Sequence, residues 1–200
     1  FMACWDAPVD VRNHPRIGCE AAITMMMALE GLNGDLIGSG RITEPLKIGI
    51  GLNTGEVTVG NLGSEQRFDY SCLGDAINLG SRLEGLSKAY GVPIVIGEST
   101  YDVLDQPPSD AEVVLLDHVI VKGKSIPVAI YGIIPHKHFL TDWCADHNEL
   151  MAFIERDAWD DVEIVLNRLR KSESYPGELL DQAVYRAENK ISEVRQMTTK

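Results

Sequence analysis

The chain has 200 residues, which is enough for one ordinary domain and an appendage, and 44% of them are hydrophobic, which allows a buried core. Thirty acidic residues against 18 basic ones give a formal charge of -12. Because surfaces that bind nucleic acids are usually basic, this charge argues against a nucleic acid as the main partner. It permits a nucleoside triphosphate, which needs only a few placed cations and a metal ion.

The four cysteines show neither CxxC nor disulfide-framework spacing, so we expect reduced thiols in a cytoplasmic chain. Apolar runs such as 92–96 and 129–134 are far shorter than the ~18 residues of a membrane-spanning helix, so we expect no membrane segment here. The first residue is Phe1, and neither a charged nor an apolar leader follows it. We therefore expect the chain to begin inside a longer reading frame.

The first quarter of the chain predicts a strand, a helix and a second strand. The apolar run at 1–5 predicts the end of a strand that leads into a polar loop. Apolar residues recur at helical spacing over 16–32, which predicts a helix. Over 46–52, apolar residues alternate with Lys and Gly, which predicts a half-buried strand.

A hairpin and a crossover unit are predicted next. Val57 and Val59 resume the alternation, and after a turn over 60–66 the pattern returns at 68–72 as a paired strand. Asp75 is suited to cap a helix whose apolar stripe continues to the stop at Gly91.

A strand over 92–96 follows that helix, and a strand, a helix and a strand in succession favour a right-handed parallel crossover. Further strands are predicted over 111–116 and 127–134. Strands with interspersed helices predict a mixed α and β domain.

The last third of the chain has an almost purely helical pattern. Apolar stripes over 150–154, 162–169 and 180–191 predict three helices, with breaks at 157–159 and 175–177. The first two resemble one tetratricopeptide unit, which cannot form a solenoid alone. We interpret the segment as an appended helical hairpin with a final helix.

Asn78 and Arg82 are the first candidate site residues. They are four positions apart on the predicted helix, so both side chains project from one face. An amide beside a guanidinium suits a ribose hydroxyl and a charged phosphoryl group. The spacing alone leaves open the alternative that the pair is ordinary solvated helix surface.

A longer resemblance bears on that alternative. The run RFDYSCLGDAINLGSRLEGLSKAYG at 67–91 closely resembles the signature of class III adenylate and guanylate cyclases, and LKIGIGLNTGEVTVGNLGSEQ resembles the strand before it. FMACWDAP and VIVKGKSIPVAIYGI resemble further parts of the same domain, so the likeness runs from residue 1 to about 134. It implies a cyclase domain at 1–135 of bacterial adenylate cyclase type, followed by a helical tail at 136–200.

The implied fold is α+β and ferredoxin-like, with a mixed, mainly antiparallel sheet and helices. The resemblance implies that the domain lacks its first strand and helices, and that the activity is conversion of ATP to cyclic AMP and pyrophosphate in intracellular signalling. Alternatives are a guanylate cyclase, a degenerate regulatory or dimerisation module, or an interaction module in which the tail is the active part.

The resemblance also implies roles for individual residues. Asn78 matches the asparagine that orients the ribose, Arg82 the arginine that stabilises the transition state at the α-phosphate, and Lys122 the lysine that holds the terminal phosphates. Ser71 follows the conserved Tyr at the position that helps to select the base. Cys72 is the neighbouring candidate, but strand alternation predicts that it faces away from the pocket and serves as a small buried hydrophobe.

The two metal-binding aspartates of this family belong upstream of residue 1, and neither Asp6 nor Asp75 stands in their place. The Mg²⁺ or Mn²⁺ of the full-length enzyme would therefore lack ligands in this chain. Because the family's active site forms between two protomers, the resemblance implies a homodimer that binds ATP. We expect this fragment to be inactive alone and to complement a longer chain that lacks Arg82.

One further cluster combines residue types that can bind zinc. Its members are His136, His138, Cys144 and His147. Their spacing matches no familiar zinc module, so we favour a surface loop that leads into the tail helices.

Overall fold

The computed structural model describes residues 1–64, 67–120, 127–136 and 142–198. Its first element is helix α1, His14–Gly38, which is longer at both ends than the predicted 16–32. Cys19, Ala22 and Ile23 face the core from this helix. Residues 1–13 form neither a strand nor a helix, so the strand end predicted at 1–5 is wrong.

Strand β1, Ile50–Leu52, is shorter than the alternating pattern over 46–52 predicts. The Asn33 side chain of α1 explains part of the difference. Its Oδ1 accepts from the Leu46 amide at 2.8 Å, and its Nδ2 donates to the Leu46 carbonyl at 2.9 Å. The backbone groups that a sheet ladder would use at Leu46 are therefore bonded to a helix side chain instead.

The predicted hairpin is present as strands β2, Thr58–Ser64, and β3, Arg67–Leu73, which pair antiparallel as a separate two-stranded sheet. Residues 60–64 belong to β2, so this part of the turn predicted over 60–66 is wrong. Within the hairpin, Gly60 is opposite Ser71 and Val59 is opposite Cys72.

Helix α2, Asp75–Tyr90, confirms the predicted helix and its stop at Gly91, which adopts a left-handed conformation with a φ of 65°. The expected cap is wrong. Gly74 occupies the cap position, and Asp75 is the first helical residue. There its negative charge interacts favourably with the positive end of the helix dipole.

The main sheet has the order β1-β4-β6-β5. Its other strands are β4, Ile94–Gly97, β5, Ala111–Val119, and β6, Val128–Pro135, and the four-residue helix α3, Glu98–Tyr101, follows β4. β1 and β4 are parallel and the other pairs are antiparallel, so the α+β prediction is confirmed. The parallel crossover joins β1 to β4 through α2, and the hairpin is inserted between β1 and α2.

The tail forms helices α4, Cys144–Glu155, α5, Trp159–Leu169, and α6, Gly177–Thr198, which confirms both predicted breaks. These helices do not stand apart from the sheet. A single buried cluster contains Leu83 of α2, Val114 of β5 and Ile134 of β6 together with Leu150 and Leu179 of the tail. No helix in the described ranges is long and apolar enough to cross a membrane.

Polar contacts also join the tail to the sheet. Arg186 of α6 forms an ion pair with Asp117 of β5, and the Tyr90 hydroxyl at the end of α2 donates to the same carboxylate at 2.9 Å. The second Arg186 nitrogen lies 2.9 Å from Nδ1 of His118. The end of α2 is thus held between the sheet and α6.

The surface-loop expectation is wrong for Cys144 and His147, which lie in α4 at 3% and 0% exposure. His136 is exposed and contacts Glu112 at 3.2 Å, while His138 lies outside the described residues. Among the residues whose positions are described, no three His, Cys, Asp or Glu side chains come together as a metal site.

Candidate active site

The position of α2 depends on a close approach to β1. A Cβ atom added to Gly51 would lie well inside 3.0 Å of the Gly80 carbonyl oxygen and the Glu84 amide nitrogen of α2. A Cβ at Gly49 would collide in the same way with the Ser87 hydroxyl. Both glycines therefore let the backbone of this segment lie directly against the helix. This contact determines how far α2 stands from the sheet.

Asn53 fixes the first turn of α2. Its side-chain nitrogen donates to the Ala76 carbonyl at 3.2 Å, and its side-chain oxygen accepts from the Ser99 hydroxyl at 2.9 Å. The half-buried amide thus connects the residue after β1 with the starts of α2 and α3. Sequence reasoning missed this residue. The available signal was a polar Asn-Thr-Gly run directly after an apolar strand.

Asn78 and Arg82 lie on α2 as the spacing predicts, and both are exposed. The neighbouring residues Leu79 and Leu83 are 8% and 0% exposed and face the core. The buried stripe holds the helix in place, so the amide and the guanidinium project together from its solvent side. This arrangement can offer neutral and cationic donors to one bound anion.

Ser71 and Cys72 lie on opposite faces of β3. Ser71 is partly exposed, while Cys72 is 5% exposed and its sulfur lies 2.6 Å from the sulfur of Cys4. Cys72 is therefore a buried residue in contact with the N-terminal segment. Of the two candidates on β3, Ser71 is the one with a surface open to a ligand.

The described residues include neither the candidate lysine nor a set of metal-binding carboxylates. Lys122 lies outside the described residues. The described carboxylates do not fit a two-metal centre, because Asp6 accepts from the Val11 amide at 2.6 Å in its own loop and Asp75 stands exposed at the start of α2. Within the described ranges, the candidate residues Asn78, Arg82 and Ser71 therefore have no set of metal-binding carboxylates beside them.

The candidate residues lie outside two depressions on the described surface. These two depressions have volumes of about 300 and 320 Å³, and they are lined by residues 157–161 and by a group around Tyr101 and Leu104. Neither includes Asn78, Arg82 or Ser71.

The structure is an α+β sheet domain with an exposed amide and guanidinium on α2, the helix that follows hairpin strand β3 in the chain. The family described as "Adenylate and Guanylate cyclase catalytic domain" matches residues 1–135. The chain belongs to this family, and the resemblance noted in the sequence is confirmed.

Several adenylate cyclases are similar in sequence. The chain is 38% identical over 115 residues to the adenylate cyclase of Anabaena cylindrica, covering 56% of this chain and 23% of that protein. It is 38% identical over 115 residues to the terminal-differentiation specific adenylate cyclase of Dictyostelium discoideum, covering 58% of this chain and 5% of that protein. Adenylate cyclase 1 of Rhizobium meliloti is 30% identical over 133 residues, with 66% and 19% covered. The chain thus spans less than a quarter of the length of each of these relatives.

Two solved structures share the fold. The guanylyl cyclase Cya2 superposes with a TM-score of 0.54 at 30% identity, covering 67% of this chain and 66% of that one. The adenylyl cyclase CyaB from P. aeruginosa superposes with a TM-score of 0.50 at 30% identity, covering 64% and 63%.

Proposed function

We propose that this chain is the nucleotide-contacting part of an adenylate cyclase, which converts ATP to cyclic AMP and pyrophosphate in the cytoplasm. The observation that carries the proposal is the Asn78–Arg82 pair, exposed on one face of a helix that buried leucines and the Gly51 contact hold rigidly. Membership of the cyclase family supports the reaction class. The similar adenylate cyclases support ATP as the substrate.

The reaction needs charge stabilisation at the α-phosphate. The ribose 3′ oxygen loses its proton and bonds to the α-phosphorus, while the bond from that phosphorus to the bridging oxygen breaks and pyrophosphate leaves. Arg82 stabilises the negative charge that develops on the phosphoryl oxygens. Asn78 orients the ribose through its amide, and Lys122 neutralises the terminal phosphates.

Ser71 contacts the base. Its hydroxyl can accept from the adenine amino group or donate to a ring nitrogen, whereas the buried thiol of Cys72 faces the other way. GTP is the second candidate substrate, because the guanylyl cyclase Cya2 shares the fold at a TM-score of 0.54. Competition between ATP and GTP for the chain distinguishes the two substrates.

A second protomer completes the site. In this proposal the partner supplies the carboxylates for Mg²⁺ or Mn²⁺. Helix α1 supports an association, because it exposes apolar side chains that are at least 40% accessible. These are Met25, Met27, Leu32 and Ile37. The first unit, 1–135, would then be the cyclase domain, and 136–200 a tail that packs on it.

Complementation tests this function. A cyclase chain that carries the family's two metal-binding aspartates and the substitution Arg82→Ala should regain cyclic AMP synthesis when it is mixed with the 200-residue chain. The physical reason is that each protomer then restores the group that the other lacks. Loss of one transition-state arginine can cost about 10³-fold or more in rate, so the recovery should be large. Cyclic AMP is measured with Mg²⁺ or Mn²⁺ and ATP.

The controls separate Arg82 from its helix. The 200-residue chain with Arg82→Ala should fail to rescue, whereas Lys88→Ala, which removes an exposed cation from the same helix, should rescue normally. Cyclic AMP from the 200-residue chain alone would contradict the divided site. A detected heterodimer without activity would contradict the role of Arg82.

A further inference from the structure

Two cysteines that are far apart in the chain come together at the hairpin. The sulfur atoms of Cys4 and Cys72, 68 positions apart, lie 2.6 Å from each other. We propose that these thiols form a reversible disulfide, an oxidative modification site that ties the N-terminal segment to strand β3.

Exposure and position favour a disulfide between Cys4 and Cys72 over one that involves the other two cysteines. Cys4 is partly exposed and gives access to a reagent, while Cys72 is 5% exposed behind it. Cys19 and Cys144 are buried in two different hydrophobic clusters, so neither is placed to compete. Next to Cys4, the Trp5 ring lies 3.7 Å from where a Cβ of Gly18 would be, so the segment touches α1 on one side and β3 on the other.

Little movement is required to make the bond. A disulfide has a sulfur–sulfur length of about 2.05 Å, so the two atoms need to approach by about 0.5 Å from their separation of 2.6 Å. The contact already brings the second thiol to the first, and an intramolecular attack at this distance is strongly favoured over reaction with a distant partner.

The reaction is a thiol–disulfide exchange with a low-molecular-weight disulfide. The Cys4 thiolate attacks one sulfur of the reagent and releases one small thiol. The Cys72 thiolate then attacks the Cys4 sulfur of the mixed disulfide and releases the second. Two protein thiols are oxidised by two electrons, the reagent is reduced to two thiols, and the two protons leave with them.

The microenvironment makes this exchange slow at neutral pH. Burial, helped by the hydrogen bond with Cys72, raises the pKa of Cys4 to about 11. The thiolate is the reacting species, so the rate should rise with pH by up to about tenfold per unit. A strong or lasting oxidant signal, rather than a brief one, would therefore be needed to close the bond.

The crosslink would stiffen β3 and leave the base contact open. Cys72 directly follows Ser71, and the two side chains are on opposite faces of the strand. A bond through Cys72 restricts the hairpin from behind the face that carries Ser71. This inference does not depend on nucleotide turnover, and it would hold if the chain only bound nucleotides.

Oxidised glutathione is the probe for the test. The reduced 200-residue chain, treated at pH 8 and then unfolded, should have lost two of its four thiols without gaining glutathione mass. Peptide mapping should join the Cys4 peptide to the Cys72 peptide, and dithiothreitol should restore both thiols. The thermal midpoint should rise by several degrees, because a long loop is closed in the unfolded chain. Amide exchange in β2 and β3 should slow.

Two cysteine variants test whether the disulfide joins Cys4 to Cys72. Cys4→Ala should abolish the bond with little effect on folding, because this residue is partly exposed, and circular dichroism checks the fold. Cys144→Ala should form the bond as the native chain does. A lasting mixed disulfide at Cys4, a crosslinked dimer, or a bond through Cys19 or Cys144 would overturn the proposal. So would unchanged amide exchange in the hairpin after the bond has formed.

Discussion

His147 shows how one buried side chain connects the tail to the sheet. Its Nε2 lies 2.7 Å from the Leu115 carbonyl, and its Nδ1 lies 2.7 Å from the Tyr175 hydroxyl. A carbonyl can only accept, so Nε2 carries the proton and Nδ1 accepts from Tyr175. The ring holds β5, α4 and the turn before α6 together, and it is neutral near pH 7 because its burial disfavours the charged form. Burial lowers the pKa of His147 to about 4.

This pKa predicts a pH dependence of stability. Between about pH 6.5 and pH 4 the unfolded chain binds a proton at this residue and the folded chain does not, so the free energy of unfolding falls as the pH falls. The loss approaches about 3 kcal/mol at pH 4. Urea unfolding at pH 7, 6 and 5 measures it.

Two variants isolate the contribution of His147. His147→Gln should flatten the slope between pH 6.5 and 5, where few carboxylates titrate. His136→Gln, which changes an exposed histidine, should keep it. An unchanged slope in His147→Gln would mean that other groups govern the dependence.

At the scale of elements, the contact between β1 and α2 positions the candidate site. The helix is anchored from below by Gly51 and at its first turn by Asn53, whose amide contacts Ala76 and Ser99. The positions of the exposed Asn78 and Arg82 therefore depend on the backbone contacts between β1 and α2. A substitution at the contact between β1 and α2 should therefore displace Asn78 and Arg82.

Gly51→Ala tests this dependence. The added methyl group would meet backbone atoms of Gly80 and Glu84, which cannot rotate away, so the strand and helix must separate. Overpacking of this kind costs about 1–3 kcal/mol, and the variant should also complement poorly in cyclic AMP synthesis. Chemical denaturation measures the first effect.

Gly85→Ala is the matched control, on the helix α2 that Gly51 contacts. No atom lies within 4 Å of its added Cβ, so it should gain up to about 1 kcal/mol from helix propensity. Equal destabilisation by both variants would show that the close approach at Gly51 does not matter.

At the scale of the whole molecule, the matched cyclase region and the tail share one core. The cluster that contains Leu83, Val114 and Ile134 also contains Leu150 and Leu179, although the family match ends at residue 135. The Arg186–Asp117 ion pair and the Tyr90 hydroxyl lie at the edge of this shared core. We expect the tail and the sheet to unfold together.

Leu179→Ala tests that cooperativity. This side chain of α6 is 0% exposed, and its truncation should cost about 2–5 kcal/mol. If the core is shared, hydrogen exchange in β5 and β6 should accelerate by the same free energy as in α6. Ile164→Ala, at a tail position that is 60% exposed, should change little. Loss of protection confined to the tail would show that it unfolds separately.

Local patterns predicted much of this fold and part of the site. The tail helices end where the patterns break, α2 stops at Gly91, and Asn78 and Arg82 share an exposed face because helix periodicity alone requires it. The predictions failed where distant residues intervene. β1 is short because Asn33 bonds Leu46, and His147 is buried because Leu115 and Tyr175 supply its partners.

Local sequence patterns were enough to predict the family, the order of most elements and the helix face that carries the candidate site. These features depend on residues that are near one another in the chain. Three features are visible only in the folded chain: Gly51 supports α2, Cys4 contacts Cys72, and the tail completes the core of the sheet. Each of these depends on a contact between distant segments, which becomes defined only when the hydrophobic core is packed.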